Sequence, residues 1–181
     1  TGSGSVSAIF DFGGVGSHPE LAGRVTDLSG GNPFDHTIAI AGIVAAAGLG
    51  AGTARNSAYA SSLRIYDSVD FPTVASSLPG LGVSASNHSY GDLAGWSFNP
   101  FGDGRWLWMG DPELSVEEDA AFGLYDSTAS DFDHLLASSA GTLAVVAAGN
   151  LRGIGPAPGT IHHAYDPATD TYQLSSYARP Q

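Results

Sequence analysis

The sequence predicts an α/β protein with a mostly parallel sheet, and three observations carry that expectation. Short strand-type apolar runs alternate with longer helix-type runs, the order that crossover connections between parallel strands impose. The run 143–148 is apolar at every position, as suits a strand covered on both faces. Glycines follow the first of these strand runs directly and stand at the end of the last, and the carboxyl ends of parallel strands are where sites form.

Residues 5–12 make the first strand, ended by Gly13 and Gly14, where backbone freedom is greatest. A loop rich in Gly, Asn and Pro at 30–33 leads into 36–47, whose closely spaced Ile, Ala and Val predict a helix buried on most sides. Residues 62–66 form a second strand, 69–78 a short helix and 82–89 a third strand. From 92 to 123 the texture changes: Trp96, Phe98, Phe101, Trp106, Trp108 and Phe122 interleave with Gly, Asp and Pro. That pattern predicts an aromatic-stapled insertion too interrupted for a regular element, and loops of such length are uncommon unless functional. Residues 128–139 return to helix, with Ser127 or Ser130 as cap, and 143–148 follow as a buried strand. Beyond Asn150, two polar, Tyr-bearing stretches around Asp166 and Pro167 predict a hairpin within 160–177.

A chain of 181 residues with 43% hydrophobic content is long enough for one domain with a sizeable core. Eighteen acids stand against six Arg and no Lys, for a net charge of −12. Nucleic acid is thereby disfavoured as a partner, since phosphate neutralisation needs clustered cations. With no Cys, disulfides, thiolate catalysis and Cys-based zinc sites are excluded on this chain. The longest apolar run, 38–50, falls short of the roughly 20 residues a membrane span needs. No charged-then-apolar leader opens the sequence at Thr1, so any targeting peptide is expected outside these residues.

Three residues stand where chemistry could be built. Asp11 ends a strand and precedes glycines, a placement that suits a site acid and equally a turn aspartate accepting backbone amides. His36 opens the buried helix, where a rigid ring suits a general base; a solvated helix-entry histidine is the plain alternative. Asn150 ends a buried strand just after Gly149, so its amide can donate to a developing oxyanion or simply occupy a turn. The remaining histidines, His18, His88, His134, His162 and His163, read as turn, surface or core residues. Asp11-Phe12-Gly13 spells the metal-binding triplet of protein kinases, but that fold needs a strand lysine that this chain lacks. Gly13, Gly14 and Gly16 miss the spacing of a dinucleotide loop, and Pro19 follows shortly after.

Taken together, these segments resemble the subtilisin-like serine proteases. The first matches the pattern D-[ST]-G-x-x-x-x-H-P-[DE]-L at Asp11, Gly13, His18, Pro19, Glu20 and Leu21, with Phe12 in place of Ser or Thr. The second resembles H-G-T-H-V-A-G at His36, Ala41 and Gly42, with Thr37, Ile38, Ala39 and Ile40 replacing the intervening residues. Residues 87–91 resemble the N-x-S-x-G strand that lines the family's cleft, and 145–150 resemble the strand ending in its oxyanion asparagine. The four motifs stand in the family's order and span most of the chain.

The resemblance implies a three-layer subtilisin-like fold, incomplete in this chain, in which residues 1–181 are the N-terminal part of a single peptidase domain. Residues 92–123 are then an insertion expected over the rim of the cleft, and 151–181 the start of a further insertion or processed segment. It implies that Asp11 orients His36, that His36 serves a serine nucleophile as general base, and that Asn150 donates to the oxyanion. Ser89, Tyr90 and Gly91 would pair with an extended peptide substrate, and Ala147, Ala148 and Gly149 would wall the pocket before the cut. No segment after Asn150 resembles the family's serine motif, and Ser175 and Ser176 lack its glycines. The nucleophile is therefore expected on a C-terminal chain of the same precursor or a separate segment, covering the edge of strand 143–148. The family also implies secretion, no required cofactor and a structural calcium ion, for which no acid cluster marks a site. A pseudoprotease that binds peptides without cutting them is the alternative, although such a module has no need for all three of Asp11, His36 and Asn150.

Overall fold

The computed structural model describes residues 1–50, 52–67, 74, 76–115, 118–150 and 153–176. The protein is α/β, with a parallel five-stranded sheet and a second, four-stranded one. Its contacts divide the chain into two compact units, Thr1–Tyr90 with Ser127–Ala147, and Gly91–Asp126 with Ala148–Gln181.

The first unit is built on strands β1 (Val6–Asp11), β2 (Val25–Asp27), β3 (Ser62–Asp67), β4 (Ala85–His88) and β7 (Leu143–Val146), with helices α1 (Asp35–Ala45) and α2 (Ser127–Ser138). The strand order is β2-β3-β1-β4-β7 and every pairing is parallel. Side chains alternate across a strand, so Ala8 and Phe10 of β1 pack with Tyr66, Val83 and Leu135 on one face. Ile9 packs on the other with Leu63, Ile65, Ala41 and Ala45. Helices α1 and α2 thus cover opposite faces, and Asp11, two residues beyond Ile9, falls on the α1 side. Thr37, Ala41 and Ala45 are the buried residues of α1, a four-residue spacing of small side chains that keeps one helix face against the sheet.

The second unit contains β5 (Trp96–Phe98), β6 (Trp106–Trp108), β8 (His162–Asp166) and β9 (Thr171–Ser175), in the order β5-β6-β8-β9. Antiparallel pairing sets Trp96 opposite Trp108 and Phe98 opposite Trp106, and Trp96, Trp108 and Ala164 form its core. The hairpin β8–β9 occupies the predicted place, its turn fixed by Asp166, whose carboxylate accepts the Ala168 N–H at 3.0 Å.

Several expectations need correction. The aromatic stretch contains two regular strands, because three-residue runs of Trp and Phe gain stability from cross-strand pairing that no single run displays. Strand β7 is not covered on both faces. Leu143, Val145 and Val146 are 65%, 52% and 55% exposed, so neither face of β7 is closed over, and among the described residues β7 pairs with β4 alone. Strand β2 has no counterpart in the sequence pattern, its three residues being too few to show a period. The helix expected over 69–78 lies largely outside the described residues; within it Val74 and Leu78 are buried. No helix among the described residues is long and apolar enough to cross a membrane.

Candidate functional site

The site begins at the carboxyl end of β1. Asp11 is fully buried, and its register partner on β3 is Asp67. One carboxylate oxygen, Oδ1, accepts the Phe12 N–H at 2.8 Å. The other, Oδ2, lies 2.7 Å from Nδ1 of His36. A carboxylate only accepts, so Nδ1 carries the hydrogen, and in the neutral ring Nε2 then has the lone pair. The His36 side chain is 52% exposed against 0% for Asp11. A buried acceptor therefore fixes a ring whose far nitrogen can meet a reactant, the arrangement that general base catalysis asks for.

Local structure explains how two residues 25 apart in sequence meet. The turn after Asp11 and the loop before His36 form a short parallel bridge: Gly14 N–H donates to Asn32 O at 2.8 Å, and Phe34 N–H donates to Gly14 O at 2.9 Å. Gly13 has φ +76, and a Cβ there would stand 2.7 Å from Asn32 O, so both backbone conformation and space require glycine. The Phe12 carbonyl accepts from the buried Thr37 hydroxyl at 2.9 Å. Thr37 stands where the resemblance places Gly, and it uses the substitution to tie the first turn of α1 to the Asp11 turn. Glu20 acts at the far end of α1, where its carboxylate accepts the N–H groups of Gly48, Leu49 and Gly50. The Gly50 and Leu49 bonds hold its pKa below the ordinary value.

Among the residues assigned to substrate, Ser89 follows β4, with its N–H 3.4 Å from Phe10 O and its hydroxyl accepting from Asn87 Nδ2 at 2.9 Å. Tyr90 turns inwards, packs on the core and places its hydroxyl 2.9 Å from Nδ1 of His88. Burial pushes its phenol up to about 12. The Tyr90 side chain is thus partly buried against the core. Ala147 continues the ladder, its N–H donating to His88 O at 3.0 Å. Gly91, Ala148, Gly149 and Asn150 are exposed and belong to the second unit; Gly149 has φ +90.

His88 shows why position decides which histidine can act. It is buried, stacked on Phe10 with ring centroids 4.8 Å apart, and held between Ser86 Oγ at 2.8 Å and Tyr90. Burial lowers its pKa to about 4, and neither nitrogen is open to a reactant. His18 accepts the Glu20 N–H and His163 meets Asp103 at 2.8 Å; both are local ties. No group of three or more His, Asp or Glu among the described residues could hold a metal ion.

Asp27, which sequence reasoning passes over, accepts the Val15 N–H at 2.8 Å and the Ser29 hydroxyl at 2.7 Å. The available signal is Asp27-Leu28-Ser29 after a β-branched pair, an Asx-turn pattern. No protein-family model matches the chain, and no curated protein matches it.

Proposed function

We propose that this chain is part of a subtilisin-like serine endopeptidase whose nucleophilic serine lies on a separate C-terminal chain or segment of the same precursor. The observation that carries the reading is the 2.7 Å contact between buried Asp11 and half-exposed His36 at the carboxyl end of a parallel sheet. The parallel sheet with α1 and α2 on opposite faces suits the three-layer subtilisin-like architecture.

In this reading Asp11 keeps His36 in the Nδ1–H tautomer, so Nε2 takes the serine proton as the serine oxygen attacks the scissile carbonyl. By the resemblance alone, the Asn150 amide would be the donor to the tetrahedral oxyanion. His36 then returns the proton to the leaving amine, and a water molecule repeats the sequence to release the acyl group. By the same resemblance, Ser89, Tyr90 and Gly91 would offer backbone groups to an extended peptide, and the small residues Ala147, Ala148 and Gly149 would suit a bulky side chain before the cut. The chemistry requires no cofactor; structural calcium and secretion belong to the proposal by resemblance alone. The edge of β7, unpaired among the described residues and with Leu143, Val145 and Val146 exposed, is where the serine-bearing polypeptide would add the next strand, since such edges are normally covered.

The test is labelling of the protein purified with its co-purifying polypeptides, using a fluorophosphonate probe and intact mass. The expected result is a label on a serine outside residues 1–181, abolished by His36→Ala. Peptide binding with no label would favour the pseudoprotease and overturn the endopeptidase reading.

A further inference from the structure

We infer that Asp27, the last residue of β2, is a positioning residue that holds the Asp11 turn and the His36 loop in register. Its catalytic consequence rests on the endopeptidase reading; its geometric consequence does not.

The two carboxylate oxygens of Asp27 serve the two segments separately. Oδ2 accepts the Val15 N–H at 2.8 Å, within the turn that follows Asp11. Oδ1 accepts both the Ser29 N–H at 3.2 Å and the Ser29 hydroxyl at 2.7 Å, in the loop that leads to His36. Ser29 Oγ in turn accepts the Gly31 N–H at 3.3 Å, next to the Asn32 carbonyl that receives Gly14. One side chain therefore spans both partners of the bridge that brings Asp11 to His36. Burial pushes the Asp27 pKa up, but the bonds from Ser29, Val15 and Gly16 outweigh it, leaving the carboxyl below its ordinary value and ionised.

The fit admits little else. A Cβ on Gly14 would stand 2.5 Å from Asp27 Oδ2 and 2.9 Å from Ser29 Oγ. Gly14 is not among the residues with positive φ, so the cost of a Cβ here is displacement of the Asp27 carboxylate and Ser29 hydroxyl, not backbone strain. Asn at 27 matches Asp in shape but sets an NH2 group against either Val15 N–H or the Ser29 donors, whichever way it is turned. Asp27→Asn and Gly14→Ala thus disturb the same junction by different means, one by hydrogen-bond polarity and one by volume.

The tautomer of His36 reads the outcome, because the nitrogen bearing the hydrogen is set by the bond the ring makes. In the protein purified with its co-purifying polypeptides and 15N-labelled, two-bond proton–nitrogen spectra at alkaline pH should show neutral His36 as the Nδ1–H form. Asp27→Asn and Gly14→Ala should each convert it to a mixture with the Nε2–H form, and Ser29→Ala to a smaller degree. Glu20→Gln, which removes a comparable carboxylate cradle at the other end of α1, should leave the Nδ1–H form intact. An unchanged tautomer in Asp27→Asn, Gly14→Ala and Ser29→Ala, with the amide spectrum of β1 and β3 showing a folded sheet, overturns the inference. Loss of that form in Glu20→Gln would overturn it as well, by making the effect general destabilisation. In the assembled protein Asp27→Asn should lower kcat about 10- to 100-fold with KM unchanged, as expected of a misplaced base. A shifted tautomer in a protein that cleaves no peptide would sink the endopeptidase reading and leave Asp27 as the positioning residue.

Discussion

Acidification should weaken the first unit through His88, and the size of the effect follows from where the ring sits. His88 is 1% exposed, stacked on Phe10, edge-on to Phe132, and bonded to Ser86 Oγ and Tyr90 OH. Burial holds its pKa at about 4, whereas an unfolded chain returns it to about 6.5. Above pH 6.5 both states carry a neutral ring and the group contributes no pH dependence. Between 6.5 and 4 the unfolded state binds a proton that the folded state refuses, so stability falls as pH falls, by about 1.4 kcal/mol per pH unit. Below about 4 both states are protonated and the loss stops. A gap of about 2.5 pH units makes the full effect roughly 3 kcal/mol, a large share of the stability of a domain. The assay is urea denaturation at pH 7 and pH 4 for the native sequence and for His88→Phe, which keeps a ring on Phe10 but cannot titrate. Carboxylates contribute equally to both proteins, so the difference between the two pH dependences isolates His88. If Phe leaves the Ser86 and Tyr90 hydroxyls too poorly paired to fold, His88→Gln serves the same comparison. Stability curves that fall in parallel would refute the placement of a neutral, buried ring.

Phe10→Ala should cost about 3–5 kcal/mol, since Phe10 is fully buried between Tyr66 and His88 at centroid distances of 4.9 and 4.8 Å; calorimetry or denaturation reads the loss directly. Val145→Lys should change the stability of the 181-residue chain by only about 0.5 kcal/mol, Val145 being exposed on an edge strand. The same change should prevent association with the serine-bearing polypeptide, read by co-purification, and retained association would place the interface elsewhere.

How much of this could be read from residues alone depended on whether the signal was local. Strand β1 and helix α1 announce themselves because Val6–Asp11 and Asp35–Ala45 are long enough to show apolar patterning, and both end where glycine or a loop permits. The β8–β9 hairpin is legible from Asp166 and Pro167 between Tyr-bearing stretches. Strands β2, β5 and β6 are not, since three residues carry no period and their stability lies in partners that are distant in sequence. The exposure of β7 illustrates the opposite failure: Leu143, Val145 and Val146 have the composition of a covered strand, but burial is a property of neighbours. Asp11 and His36 could be singled out from position and motif. Asp27 could not, because its importance comes from a bond to Val15 across a fold that its own segment does not reveal.

Peptide turnover by the assembled protein with Asp11 and His36 altered singly is the most direct test of the proposed acid–base pair. His36→Ala should abolish cleavage, and Asp11→Asn should lower kcat by roughly 10⁴-fold by releasing the ring from its Nδ1–H tautomer. Both variants should leave the circular dichroism of the parallel sheet unchanged. Turnover within a few-fold of the native rate in either variant would contradict a catalytic role for the 2.7 Å contact between them.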